Sequence, residues 1–220
     1  MDKLSYNKLK QAGDIHKQVE EFLKSEVLIG DEPILLYNIT QKTENKIEEL
    51  CSGVGDVAAG IAFPTGVNIN HCAAHFTPNP TKGDHTLIVG QEDIIKIDYG
   101  VHVDGNIIDG AFSFSFSNKF DKLIEASKEA TWEAIKMSGV DTLLCEIGEN
   151  TQEIIESYEV EIDGKTSPLK SIRNLSGHQI KPYLIHAGKA VPNIKSQYTN
   201  VGWSWEKNMP LKHFLPLEPV

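Results

Sequence analysis

IIKIDYGVHVDGNIIDGAFSFSF, residues 94–116, decides the fold. Asp93 to Tyr99 reads as a strand, with Ile94, Ile95 and Ile97 supplying the apolar content. Asp104-Gly105 then supplies a two-residue hairpin turn, because both residue types tolerate the positive φ angles such a turn needs. In the returning strand Phe112, Phe114 and Phe116 alternate with Ser113 and Ser115, the period of a half-buried strand. A two-residue turn sets Val103 opposite Asn106, Asp98 opposite Ala111 and Gly100 opposite Asp109. Asp98 and Asp109 are then diagonal neighbours on one sheet face, roughly 7–8 Å apart at the backbone. A slip of one residue would send them to opposite faces. Two carboxylates on one face repel unless a positive group lies between them. Ile107, Ile108 and Phe112 extend the apolar surroundings, and buried paired acids call for a cation. Hard divalent metals prefer carboxylate oxygen, with some imidazole. An aspartate exposed on a strand is the alternative, and the spacing alone leaves both open.

Outward from the hairpin, helices flank the strands. Leu9, Ala12, Ile15, Val19, Phe22 and Leu23 recur at helical spacing and predict an amphipathic helix from about Ser5 to Ser25. Asp31 to Asn38 reads as loop or edge, broken by Pro33, and a second helix over Gln41–Cys51 is expected, capped by Asn38 or Thr40. Short strands and turns follow from Gly53. Beyond the hairpin come helices over about Lys122–Ser138 and Thr142–Tyr158, then a second hairpin turning at Asp163-Gly164. Helices, strands, helices, strands is an α+β order, not alternating βαβ. The length of 220 residues can bury a substantial core. No apolar run approaches the ~20 residues that a bilayer requires, so no membrane partner is expected. The net charge of −10 and the lack of a dense Lys/Arg cluster argue against direct nucleic-acid binding.

Three cysteines, Cys51, Cys72 and Cys145, form no CxxC pair and disfavour a disulfide framework or a structural zinc site. With no apolar leader in the first 25 residues, a cytoplasmic location is expected. Three of the eight histidines stand in unusual contexts: His75 in NHCAAHFTPNP, His178 in NLSGHQI and His186 in YLIHAGKAVP. Alone, each reads as structural. Beside two close acids, they point to a two-metal hydrolase. His71, His85, His102 and His213 read as surface or loop residues, and His16 as a helix position without a role.

AGIAFPTGVNINHCAAHFTPN (59–79), the hairpin itself, SYEVEIDGKT (157–166) and IRNLSGHQIKPYLIHAGKAVP (172–192) resemble type 2 methionine aminopeptidases of eukaryotic kind. The resemblance covers about Tyr6 to Thr199. It implies the pita-bread fold, in which two α+β halves surround a two-metal site, represented here mainly by the N-terminal half, with an antiparallel sheet covered by helices. It also implies removal of the initiator methionine, so the partner expected is the N-terminal Met of nascent peptides, with the ribosome nearby. The charged N-terminal extension of eukaryotic members is absent from this sequence. By resemblance Asp98 is a terminal metal ligand, Asp109 a bridging ligand and His178 the imidazole ligand. His75 is the histidine at the scissile carbonyl, His186 a second substrate contact, and Phe63 and Ile185 line the methionine pocket. Two divalent ions are implied, and cobalt, manganese, iron and zinc all suit the ligands.

The family pattern has two further Glu ligands. After His178 this sequence holds only Glu206 and Glu218, neither in a matching motif. The expectation is therefore an N-terminal part of a pita-bread domain over 1–199, inactive as written, and a non-homologous tail over 200–220. The alternative is a non-catalytic binding protein of the same fold. The family's proliferation-associated relatives are of that kind, but they lose ligands that are kept here. The tail, NVGWSWEKNMPLKHFLPLEPV, carries two of the three tryptophans and three of the ten prolines. Read out of frame, its codons can spell Met-Glu-x-Gly-Glu-Glu-Tyr-Ala-Ile-Glu-Thr-Phe-Phe-Ala-Thr-Gly-Thr-Gly, which resembles the family segment bearing the first missing Glu. Sequencing the transcript is expected to find that motif in another frame. Codons that cannot yield it in any frame would make the tail genuine.

Overall fold

A computed structural model describes residues 3–30, 33–139 and 141–196, together with the backbone of 218–219. The readings made for the tail otherwise lie outside the described residues. Two units emerge: Met1–Phe116 with Ile180–Ile185, and Ser117–Gln179 with His186–Val220.

In the first unit, α1 (Lys3–Phe22) runs into a wider turn over Leu23–Val27. A three-stranded antiparallel sheet is ordered β2 (Ala59–Ile69), β4 (Ile94–Val103), β5 (Asn106–Ser115). Strand parity divides its faces. Ile95, Ile97, Tyr99, Val101 and Val103 of β4, with Ile108, Phe112 and Phe114 of β5, pack in one core with Ala12, Ile15, Val19 and Leu23. Each fully buried Ile, Leu or Val contributes ~1.5–3 kcal/mol. Helix α2 (Leu36–Cys51) adds Leu36, Ile39 and Ile47 to the same core.

Helix α2 begins five residues earlier than its polar residues suggest. Its N-cap is Leu35, with no side-chain cap, and both Asn38 and Thr40 lie inside the helix. The reason is tertiary. Ile34–Leu35 forms a short strand, β1, paired with β3 (Ile88–Val89), and the Leu36 N–H donates to the Leu87 carbonyl at 2.9 Å. That bond satisfies one donor of the first turn, the task expected of a capping side chain. Thr40 and Thr43 are buried and turn their hydroxyls back onto the Leu36 and Ile39 carbonyls.

The second unit is built from α3 (Asp121–Met137), α4 (Leu144–Glu156), the hairpin β6 (Glu159–Ile162) to β7 (Lys165–Lys170), and the pair β8 (Ser176–His178) with β9 (Ala190–Pro192). Glu218–Pro219, β10, pairs with β7. Ala134, Leu144, Ile147 and Val191 form a core cluster, with Met137 against it. Both Asp-Gly turns adopt the expected conformation, with φ of 49° and 75° at Asp104 and Gly105 and 53° and 75° at Asp163 and Gly164. Among the described residues, no helix is long and apolar enough to cross a membrane. All three cysteines are free.

Two histidines without an assigned role are part of the fabric of the first unit. His102 lies within β4, not in a loop. His16 is 8% exposed and stacks on Tyr99, ring centroids 4.1 Å apart. Its Nε2 lies 3.2 Å from the Tyr99 carbonyl oxygen and 3.4 Å from that of Gly110. Carbonyls only accept, so Nε2 carries the proton. The Tyr99 hydroxyl returns a bond to the His16 carbonyl at 2.9 Å. A Cβ at Gly110 would stand 2.8 Å from the ring of His16. Gly110→Ala is therefore expected to cost about 1–3 kcal/mol in urea denaturation, as overpacking does. In a His16→Ala background, where the ring is gone, the same substitution should cost less.

Candidate metal centre and active site

Asp98 lies on β4 and Asp109 on β5, and the ladder pairs Asp98 with Ala111 and Gly100 with Asp109. That is the diagonal relation expected of a two-residue turn. Both carboxylates lie on the face opposite the α1–α2 core, 6% and 1% exposed. Residues directly across a ladder share a face, so Gly66 of β2, paired with Asp98, belongs to it as well.

Strand β2 reaches that face through two register shifts. Ile61 pairs with Val101, Phe63 with Gly100 and Gly66 with Asp98, so each shift inserts one extra residue. An extra residue flips the parity of everything after it. The first shift moves Phe63 from the core face, where Ile61 lies, to the carboxylate face. Its ring lies over Gly100, where a Cβ would be 2.3 Å from Phe63 Cε1. The second shift releases the Thr65 N–H from the ladder, and Glu44 of α2 accepts it through Oε1 at 3.0 Å.

Beyond β2 the chain turns at Asn70 (φ 49°) and reaches His75 (φ 65°). A left-handed backbone at a non-glycine residue costs ~1–3 kcal/mol and persists only where neighbours enforce it. Here they do. The Asn70 N–H donates to the Ile94 carbonyl at 2.8 Å, and the Val67 N–H to the Phe76 carbonyl at 2.8 Å. His75 itself is exposed.

Lys96 completes the face. It is 2% exposed, two residues before Asp98, and its ammonium donates to the Asn70 carbonyl at 2.5 Å. Strand parity in the sequence already places Lys96 beside Asp98. Asn68 and Glu44 carry no comparable signal, because their roles arise from the bulges in β2.

The segment Ile180–Ile185 belongs to the first unit. Tyr183 (φ 59°) donates its N–H to the Gly105 carbonyl at 2.9 Å and its hydroxyl to Asp104 at 3.1 Å. Lys8 also pairs with Asp104. The hydrogen bond from Lys8, then that from Tyr183, hold the Asp104 carboxyl below the usual carboxylate range. Ile185 ends this segment half-buried. In the second unit β8 carries His178, paired with Ala190, and the Ala187 N–H donates to the Gln179 carbonyl at 2.8 Å. This return brings the rings of His178 and His186 together, centroids 4.1 Å apart.

Asp98, Asp109, Phe63, His75 and Ile185 therefore lie in the first unit, and His178 and His186 in the second. Among the described residues, no three His, Cys, Asp or Glu side chains form a group that could hold a metal ion. The carboxylate pair fits a hard divalent cation in the kind of its donors, while leaving most of a coordination shell to other groups.

The chain belongs to metallopeptidase family M24, whose sequence profile matches residues 7–212. It is 46% identical over 195 residues to methionine aminopeptidase 2A of Arabidopsis thaliana, covering 89% of this chain and 43% of the relative. It is 47% identical over 190 residues to methionine aminopeptidase 2 of Schizosaccharomyces pombe, covering 86% and 43%. The chain thus spans about two fifths of the length of these curated relatives. The crystal structure of methionine aminopeptidase from Rickettsia prowazekii superposes with a TM-score of 0.73 at 19% identity, covering 93% of this chain and 76% of that one. The fold is the α+β pita-bread fold.

The Glu44 contact generates a direct test. Glu44→Ala leaves the Thr65 N–H unpaired and is expected to cost about 1–3 kcal/mol by thermal or urea unfolding. Glu44→Gln, which keeps an acceptor oxygen, should retain most of the stability.

Proposed function

We propose that this chain is the N-terminal part, over residues 1–199, of an aminopeptidase that removes the initiator methionine from nascent polypeptides. The family profile continues to residue 212, and the reading of 200–220 as a tail outside the homologous domain rests on its composition and on its lack of a matching Glu motif. The observation that carries the proposal is the pair Asp98 and Asp109, nearly fully buried on one face. A protein that only binds a partner has no evident use for two buried carboxylates facing the same way, which favours the catalytic reading over the non-catalytic one. The similarity to proteins named methionine aminopeptidase supports the choice of substrate. The setting proposed is the cytoplasm, near the ribosome.

Asp98, Asp109 and His178 would hold two divalent ions, of cobalt, manganese, iron or zinc. When bound, such ions acidify a water and neutralise charge at the reacting carbonyl. Two carboxylates balance only half the charge of two divalent ions, so this ligand set alone binds weakly and the segment alone is inactive. His75, exposed on a constrained loop, donates to the carbonyl oxygen of the scissile bond. His186 makes the second substrate contact. Phe63, turned by the bulge onto the carboxylate face, lines the methionine pocket together with Ile185.

The test compares two variants in the full-length, metal-loaded protein. Asp109→Asn should abolish release of methionine and lower the metal content. His75→Ala should keep the metal and lower turnover by roughly 10²–10³, as loss of one oxyanion donor does. Unchanged metal binding in Asp109→Asn, or metal loss in His75→Ala, contradicts these assignments.

A further inference from the structure

Phe76, the residue that follows His75, is held through both its backbone groups. The Phe76 carbonyl accepts from the Val67 N–H at 2.8 Å. The Phe76 N–H donates to Asn68 Oδ1, also at 2.8 Å. Asn68 is fully buried, and its Nδ2 donates to the Lys96 carbonyl of β4 at 3.2 Å. Since Oδ1 accepts the Phe76 N–H, the amide orientation follows from its partners. Cys72, on the same loop, sets its thiol 3.7 Å from the same Oδ1. One side-chain amide thus ties the loop that bears His75 to the strand that bears Asp98.

The N–H of Phe76 lies in the peptide plane that leaves His75. Fixing that plane fixes ψ at His75, and the left-handed φ of 65° leaves its side chain one direction of exit. His75 makes its imidazole available while its backbone is clamped from below by a residue that never reaches the surface.

We propose that Asn68 is the positioning residue for His75: its amide locks the His75–Phe76 peptide so that the imidazole meets the substrate carbonyl already oriented. This rests on the reading of His75 given above. Orientation before binding favours the transition state over simple substrate affinity, so the effect falls on kcat and not on KM.

Two measurements on Asn68→Ala test the proposal. In amide hydrogen exchange, the Phe76 N–H should exchange about tenfold faster, the loss expected for one hydrogen bond, while the β4 and β5 amides keep their protection. Unchanged exchange at Phe76, or loss of protection across the sheet, overturns it. In the full-length, metal-loaded protein, kcat should fall about tenfold with KM and metal content unchanged. In a His75→Ala background the same substitution should have no further effect on kcat, because the two residues act as one unit. Additive losses would make Asn68 merely structural and overturn the proposal. Full turnover in His75→Ala alone would remove the role of His75 itself, and normal exchange at Phe76 would remove only the clamp, so the two failures are separable.

Discussion

A hairpin turn of two residues admits one register and no other. At Asp104-Gly105 both φ angles are positive, and the ladder that follows pairs ten residues of β4 with ten of β5 without interruption. Side-chain direction in a strand alternates with a period of two, so the turn decides the face of every residue in the hairpin. Ile95, Ile97, Tyr99, Ile108 and Phe112 go to the helices, while Lys96, Asp98 and Asp109 go to the other side. The apolar core and the acidic pair are two outcomes of one constraint. A third residue in the turn would shift the pairing and set core residues against the site.

Strand β2 obeys the opposite logic. It departs from regular pairing twice, and each departure serves the carboxylate face. The first brings Phe63 over Gly100, and the second aligns Gly66 with Asp98. The freed backbone donor finds Glu44 on α2. Helix α2 therefore supports the site from the far side of the sheet, through a hydrogen bond as well as through its apolar face.

Much of this was legible in the sequence, and for a definable reason. The hairpin register follows from local turn chemistry and a strict alternation, so residue order alone sets Asp98 and Asp109 on one face. The helices α1, α3 and α4 follow from apolar periodicity. The start of α2 is not legible in the same way, because its first donor is satisfied by Leu87, distant in sequence, and not by a neighbouring side chain. The bulges of β2 were invisible for the same kind of reason. Pro64 and two glycines signal irregularity there, but not which residue is extra. The roles of Asn68 and Glu44 depend on those bulges and are no more legible than they are. His16 looked like an ordinary helix position because nothing local reveals a ring stacked on Tyr99, 83 residues away.

The six residues Ile180–Ile185 belong with the first unit although the chain on either side belongs to the second. This has a consequence in time. A ribosome adds ~5–20 residues per second, so the strands and helices of the first unit are complete for several seconds before Tyr183 exists to cover Gly105. During that interval the tip of the hairpin stands uncovered, and the unit made first waits on residues made within the unit made second. A single cut between Phe116 and Ser117 would therefore not release a finished first unit. Synthesis order and structural membership are interleaved, and the emerging chain closes its first unit by passing through its second.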